Sequence, residues 1–198
     1  MAGTLPTQNA FFVKEHVGLF KAANNYDILD PATGQIVLEC REPNLGWITK
    51  ILRFTDYKTL TPFDIEVRTR TGELVLRVKR GVTFFVSKVD VLDGNERRVG
   101  GFKQKFFSIG GKFDVLDERD QPLCTLQGKW TSWEFTFAQG TSELAKVTKK
   151  WAGLGKELFT SADNYVLEIK PAVAANSPLR LLILGSVLCI DMVLKERR

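Results

Sequence analysis

Leu179-Arg-Leu-Leu-Ile-Leu-Gly-Ser-Val-Leu-Cys-Ile-Asp-Met-Val-Leu194 has apolar residues on every helical face and no period of two. A helix that is apolar all round must be covered all round, by protein or by lipid. Pro178 stands just ahead of it, where a first-turn proline costs no hydrogen bond. About 16 residues rise roughly 24 Å, short of the roughly 30 Å hydrocarbon core of a bilayer. Arg180 lies near one end, Asp191 near the other, and the polar Lys195-Glu-Arg-Arg198 follows. A short membrane anchor and the plug of a wide barrel are the two ways to cover such a helix.

The residues ahead of it favour the plug. Tyr26-Asp-Ile-Leu-Asp-Pro-Ala-Thr-Gly-Gln-Ile-Val-Leu-Glu-Cys40 reads as two alternating strands around a turn. Phe63 to Val78 repeats the design, and both copies carry glycine where a turn needs positive φ. Val89 to Val99, with Asp93-Gly94, and Phe113 to Leu126 are two further copies. Leu45 to Phe54, Trp133 to Phe137, Leu144 to Thr148 and Tyr165 to Ile169 add β-branched or aromatic runs. A sheet of about a dozen strands in hairpin order must curl or close to remove its edges. The expected fold is therefore mainly β: a closed antiparallel barrel of about twelve strands, too wide to be filled by strand side chains alone, enclosing the C-terminal apolar helix.

Composition suits this reading. The 198 residues fit one domain, with 44% hydrophobic and 26% charged residues. Residues 1–9 are expected to be a flexible N-terminus and 10–198 a single barrel domain. Cys40, Cys124 and Cys189 are odd in number and sit in apolar runs, which points to buried, reduced thiols. Met1 to Asn9 has neither the basic nor the apolar region of a secretory signal, so the expectation is a cytoplasmic chain, peripheral where it meets a membrane. The net charge of +5 favours anionic partners. Nucleic acid is not expected, because no recognition helix or RNA-binding aromatic motif is found. A monomer is expected, with a protein partner left open.

Enzyme chemistry finds little footing. His16 is the single histidine, so no histidine-based triad or two-histidine metal site can be assembled. No glycine-rich phosphate loop follows a strand. Asp27, Asp30, Asp64, Asp90, Asp93, Asp114 and Asp117 fall at hairpin edges, where a carboxylate commonly bonds nearby backbone amides. No catalytic residue is assigned.

Positive charge is the more suggestive feature. Alternation puts Phe63, Ile65 and Val67 on one face and Arg68 and Arg70 on the other, with Arg77 and Lys79 repeating this on the next strand. Like charges on neighbouring strands repel unless an anion is shared or carboxylates are interleaved, as Asp64, Glu66 and Glu73 allow. Arg68, Arg70, Arg77 and Lys79 are thus the candidate site for an anionic headgroup, with forked guanidinium contacts to phosphate. Arg97, Arg98, Lys103, Lys105, Lys146, Lys149 and Lys150 add to the supply.

Lys149-Lys-Trp-Ala-Gly-Leu-Gly-Lys-Glu-Leu-Phe-Thr-Ser-Ala-Asp-Asn-Tyr165 resembles the segment before the last strand of phospholipid scramblases, and the short strand, apolar helix and Ile190-Asp191 pair continue the likeness. The hairpins from Tyr26 resemble the wider scramblase, LURP-one-related and tubby C-terminal superfamily. The resemblance implies a twelve-stranded barrel around a central helix and a role with anionic phospholipid at a membrane surface, including lipid scrambling. A soluble, non-enzymatic interaction or ligand-holding module of the LURP-one-related type is the alternative. The family's calcium segment overlaps Ser161 to Ala172, but its flanking aspartates are here Ser161 and Ala172, with Asp163 and Asn164 retained. A hard cation takes about six oxygen ligands, so the degenerate segment speaks against calcium, and no cofactor is expected.

Overall fold

The computed structural model describes residues 3–16, 25–43, 62–81, 88–104, 112–129, 133–149 and 164–196. Among them twelve strands form one closed antiparallel barrel. These are β1 (Ala10–Glu15), β2 (Tyr26–Leu29), β3 (Ile36–Arg41), β4 (Phe63–Thr69), β5 (Leu74–Arg80) and β6 (Lys88–Asp93). They continue with β7 (Arg98–Gln104), β8 (Lys112–Asp117), β9 (Pro122–Lys129), β10 (Glu134–Gln139), β11 (Ser142–Thr148) and β12 (Asn164–Ile169). One helix, α1 (Pro178–Glu196), follows. Each strand pairs with its sequence neighbour, and β1 closes the ring on β12 with Phe11 opposite Leu167. Closure removes the edges that an open sheet of this length would leave to other chains.

The four expected hairpins are β2–β3, β4–β5, β6–β7 and β8–β9. Gly34 and Gly72 take positive φ, 68° and 88°, as the first two turns require. The β6–β7 turn departs from expectation: its left-handed residue is Glu96 rather than Gly94, Glu96 donating to the Asp93 carbonyl as Gly72 does to that of Thr69 in the β4–β5 turn. The expected strand from Leu45 to Phe54 lies outside the described residues.

Alternate residues point inward and form a continuous apolar lining. Val67, Leu76, Val78, Val91, Phe102 and Val115 belong to it, as do Phe135, Phe137, Val147 and Leu167. Cys40 and Cys124 lie in the same core, and all three cysteines are buried and free. The helix fills the interior, with Leu182, Ile183, Leu184, Val187 and Leu188 all buried. It leans on β5, β6, β7 and β12. Gly185 faces the wall: a Cβ there would lie 3.4 Å from both Val78 Cγ2 and Val91 Cγ2. Ser177 caps the helix, its Oγ accepting from the Arg180 amide at 3.3 Å, and Ser186 returns its hydroxyl to the Ile183 carbonyl at 2.6 Å.

The N-terminal segment is tied to the barrel rather than free where it is described. Gly3 donates its amide to the Leu74 carbonyl at 2.7 Å, and the Asn9 carbonyl accepts from Ile169 at 2.7 Å. Arg180 binds the backbone between these points, so residues 3–9 form a strap across the end where the helix enters.

Candidate functional site

Six of the hairpin aspartates divide into two groups. Asp93 Oδ1 accepts from the amides of Asn95 at 2.8 Å and Arg97 at 3.0 Å; Asp117 Oδ1 accepts from Arg119 and Gln121, both at 2.8 Å. Asp30 does the same for Ala32 at 2.8 Å. These match the turn-edge expectation. Asp27, Asp64 and Asp90 stand inside strands, so their carboxylates project from the barrel wall and hold arginines instead. Asp27 Oδ1 takes Arg41 at 2.7 Å and its Oδ2 takes His16 Nε2 at 2.7 Å. Asp90 takes Arg98 at 2.8 Å, and Arg98 also reaches Asp120 at 2.5 Å.

The β4–β5 face carries the four candidate residues, and it treats them differently. Arg77 forms a two-pronged bond to Asp64, Nε to Oδ1 and Nη2 to Oδ2, each at 2.7 Å, and its Nη1 pairs with Glu96. The Asp64 bond drives the Arg77 pKa above its ordinary value. Arg68 donates to Glu66 Oε2 at 2.9 Å and to the Gly72 carbonyl at 2.7 Å. Lys79 sits in register between Asp64 on β4 and Asp90 on β6, and it is half-buried. Arg70 is exposed in the turn. Neither Arg70 nor Lys79 forms an ion pair among the described residues. The four cations therefore share one face, but carboxylates interleave with them, and two of the four are already neutralised locally.

This wall is apolar inside and charged outside, the inverse of a lipid-facing transmembrane barrel. Among the described residues no helix is long and apolar enough to cross a membrane.

The stretch compared with a calcium segment becomes β12 from Asn164 onward. Tyr165, Leu167 and Ile169 of that strand join the core, so their side chains pack instead of ligating. Asp163 lies outside the described residues, and among those described no group of three or more His, Cys, Asp or Glu could hold a metal ion. The thiols are unreactive by location: burial pushes Cys40 well above the ordinary thiol value and Cys124 up to about 12.

A second arrangement stands at the barrel end opposite the tight turns. Trp133, Lys149 and Tyr165 adjoin the ends of β10, β11 and β12. The Trp133 and Tyr165 ring centroids are 5.5 Å apart with the planes 30° from parallel. Lys149 Nζ lies 3.7 Å from the Trp133 centroid and 5.3 Å from that of Tyr165. In the sequence Lys149 counts as basic charge and opens the stretch of family resemblance that ends on Tyr165. The available signal was phase, since Trp133 continues Phe135 and Phe137, and Lys149 continues Ala145 and Val147, onto the inner side of adjacent strands.

A family model described as Scramblase matches residues 8–197, which includes all twelve strands and the helix. The chain is 27% identical over 195 residues to a phospholipid scramblase family protein of Schizosaccharomyces pombe, covering 90% of this chain and 51% of that protein. It is 25% identical over 180 residues to altered inheritance rate of mitochondria protein 25 of Saccharomyces cerevisiae, covering 75% of this chain and 52% of that one. The chain thus spans about half the length of these curated relatives. An Arabidopsis thaliana protein solved by X-ray superposes with a TM-score of 0.52 at 14% identity, covering 96% of this chain and 99% of that one, which is a likeness of fold.

Proposed function

This chain belongs to the scramblase family, and from that premise we propose that it is a non-enzymatic phospholipid-handling protein that meets anionic headgroups at a membrane surface. The observation that carries this reading is the extent of the match, residues 8–197, which spans the wall and the central helix together. The barrel supplies a rigid, charged exterior while its apolar helix stays sheathed. Lipid would then be engaged from outside, by a cytoplasmic protein acting peripherally, and lipid redistribution would be driven at that contact.

Within the face of Arg68, Arg70, Arg77 and Lys79, Arg70 and Lys79 are the cations available to a phosphate. Arg68 and Arg77 hold Glu66 and Asp64 in place and would share an anion only by yielding those bonds. Calcium is not required in this reading, because Ser161 and Ala172 replace the carboxylates a hard cation would use.

Vesicle cosedimentation tests the proposal, with neutral vesicles against vesicles containing phosphatidylserine or phosphoinositide, at low and high salt. Wild-type protein should bind the anionic vesicles in a salt-sensitive way, and Arg70→Ala/Lys79→Ala should lose severalfold, at roughly 1 kcal/mol per basic residue near the surface. Equal binding by the double variant would remove the assignment. Arg68→Ala/Arg77→Ala should chiefly lower the melting temperature.

A second reading, a soluble ligand-holding module, is favoured by the ion pairing of Arg77 with Asp64 and of Arg98 with Asp90 and Asp120 on the same wall. It would be upheld by absence of vesicle binding at low salt.

A further inference from the structure

We infer that Arg180 is a phosphate-binding residue kept covered by the protein's own strap, so that residues 3–9 act as a lid over an oxyanion site at the tight-turn end of the barrel. Naming a lipid headgroup as the carrier of that phosphate rests on the reading above; the oxyanion chemistry itself does not.

Positive charge is concentrated at this point with nothing to balance it. Arg180 is fully buried, and its acceptors are all neutral: the side-chain carbonyl of Asn9 and the main-chain carbonyls of Thr7 and Gln8. It stands in the first turn of α1, where the helix dipole disfavours a cation and favours an anion, and that turn holds no acidic residue. A buried charge is normally paired, because desolvation without a counter-ion is costly. Donors are also left over. Arg180 Nε and Gln8 Nε2 are both buried, and neither meets an acceptor among the described residues. Surplus donors and unbalanced positive charge suit an acceptor-rich anion, and a forked guanidinium matches the oxygens of a phosphate.

The cover is thin. The strap is irregular backbone with Thr4, Thr7 and Asn9 exposed, so a single layer of chain separates the guanidinium from solvent. Each end is tied by one backbone bond, Gly3 donating to the Leu74 carbonyl and Ile169 to that of Asn9. Between them it is held by Arg180 and by Leu5, which packs against the core. Segments with so few buried contacts open at low free energy. The oxygens of Thr7, Gln8 and Asn9 thus take the places of phosphate oxygens, and a phosphate that displaces them gives the buried charge its counter-ion. Gly3 lies against Thr69 and Glu73, which flank the turn carrying Arg70, so an anion drawn to that cation arrives beside the strap.

Substitutions at Asn9 test the lid, because two of them should move binding in opposite directions. The full chain is titrated calorimetrically with inorganic phosphate and with a water-soluble short-chain phosphatidylserine, chloride serving as the control ion. Wild-type protein should bind weakly, since only the open fraction is competent. Asn9→Ala removes a bond to a charged donor from the closed lid and should bind roughly five- to tenfold more tightly. Asn9→Asp gives Arg180 an internal counter-ion and should bind roughly tenfold more weakly than wild type. Thr4→Asp adds the same charge to the strap without placing it on Arg180, and should change affinity less than about twofold. Bound phosphate should also speed amide exchange at Ile169, and thermal melts confirm that each variant is folded. No binding by wild type and Asn9→Ala, or one affinity shared by wild type and both Asn9 variants, would overturn the inference. Tighter binding of the lipid than of inorganic phosphate assigns the site to a headgroup, the reverse or equality assigns it to the free ion, and both support it. Vesicle cosedimentation of Arg70→Ala/Lys79→Ala reports on the lipid-surface reading separately, so failure of either is visible without the other.

Discussion

Arg180 Nη1 donates to Asn9 Oδ1 at 3.1 Å, joining the first turn of the central helix to a residue 171 positions earlier. Its Nη2 donates to the carbonyls of Thr7, at 3.0 Å, and Gln8. The side chain is fully buried, its acceptors are neutral, and it forms no ion pair with a carboxylate among the described residues; burial lowers its pKa. A guanidinium remains charged even so, and its forked donors let one side chain bind three acceptors. The barrel end is closed by this contact.

Arg180→Met should therefore destabilise the fold although it makes the interior more apolar. The Thr7 and Gln8 carbonyls would lose a buried donor, at a cost of about 1–3 kcal/mol. Arg180→Lys should recover only part of this, since an ammonium cannot span the three acceptors. Urea denaturation measures the loss, and faster amide exchange around Asn9 and Ile169 would locate it. An unchanged midpoint for Arg180→Met would show that the strap adds nothing.

At Gly185 the size of the substituent should decide the sign. Alanine places a Cβ at ordinary contact distance from Val78 and Val91 and improves helix propensity by up to about 1 kcal/mol. Leucine would drive further carbons into both valines and cost about 1–3 kcal/mol through overpacking. Paired thermal melts of Gly185→Ala and Gly185→Leu should diverge in opposite directions.

The β6–β7 turn should confer acid sensitivity through Asp93. Burial works to raise its carboxyl pKa, but the amides of Arg97 and Asn95 and the Arg97 guanidinium overcome it and hold the group below its usual value. A carboxyl with a depressed folded pKa contributes stability above its unfolded value near 3.9, and that contribution is lost as pH falls from there through the folded pKa. Asp93→Asn retains the Oδ1 acceptor for both amides but cannot titrate. Its stability should fall less steeply than wild type below about pH 4, read from denaturant midpoints at stepped pH.

Thiol chemistry offers a check on the sealed core. At pH 8 native protein should leave Cys40 and Cys124 unmodified by iodoacetamide, because both are buried and both pKa values are raised. Unfolding in guanidinium should expose them at rates ordinary for free cysteine. Rapid native labelling of Cys40 would mean that the β2–β3–β4 wall opens readily.

The barrel was readable because its cues are local. Period-two alternation selects inward residues such as Ile65, Val67, Leu76 and Val78, and glycines such as Gly34 and Gly72 mark where the chain turns. The charged face was legible only as a face. Its pairings depend on register, and the β4–β5 register slips between Val67 and Arg68, leaving Arg68 opposite Leu74 rather than beside a basic neighbour. Arg77 is paired by Asp64, 13 residues away, and by Glu96, 19 residues away.

The residues alone thus determined that a closed antiparallel barrel surrounds an apolar helix, since hydrophobic period and turn chemistry act between near neighbours and need no knowledge of the remainder. Tertiary structure decided which charges remain available and which ammonium rests on which rings. Strand register and barrel closure bring together side chains as distant in sequence as Trp133 and Tyr165, or Arg180 and Asn9, and electrostatic and cation–π energies depend on those separations of a few ångströms.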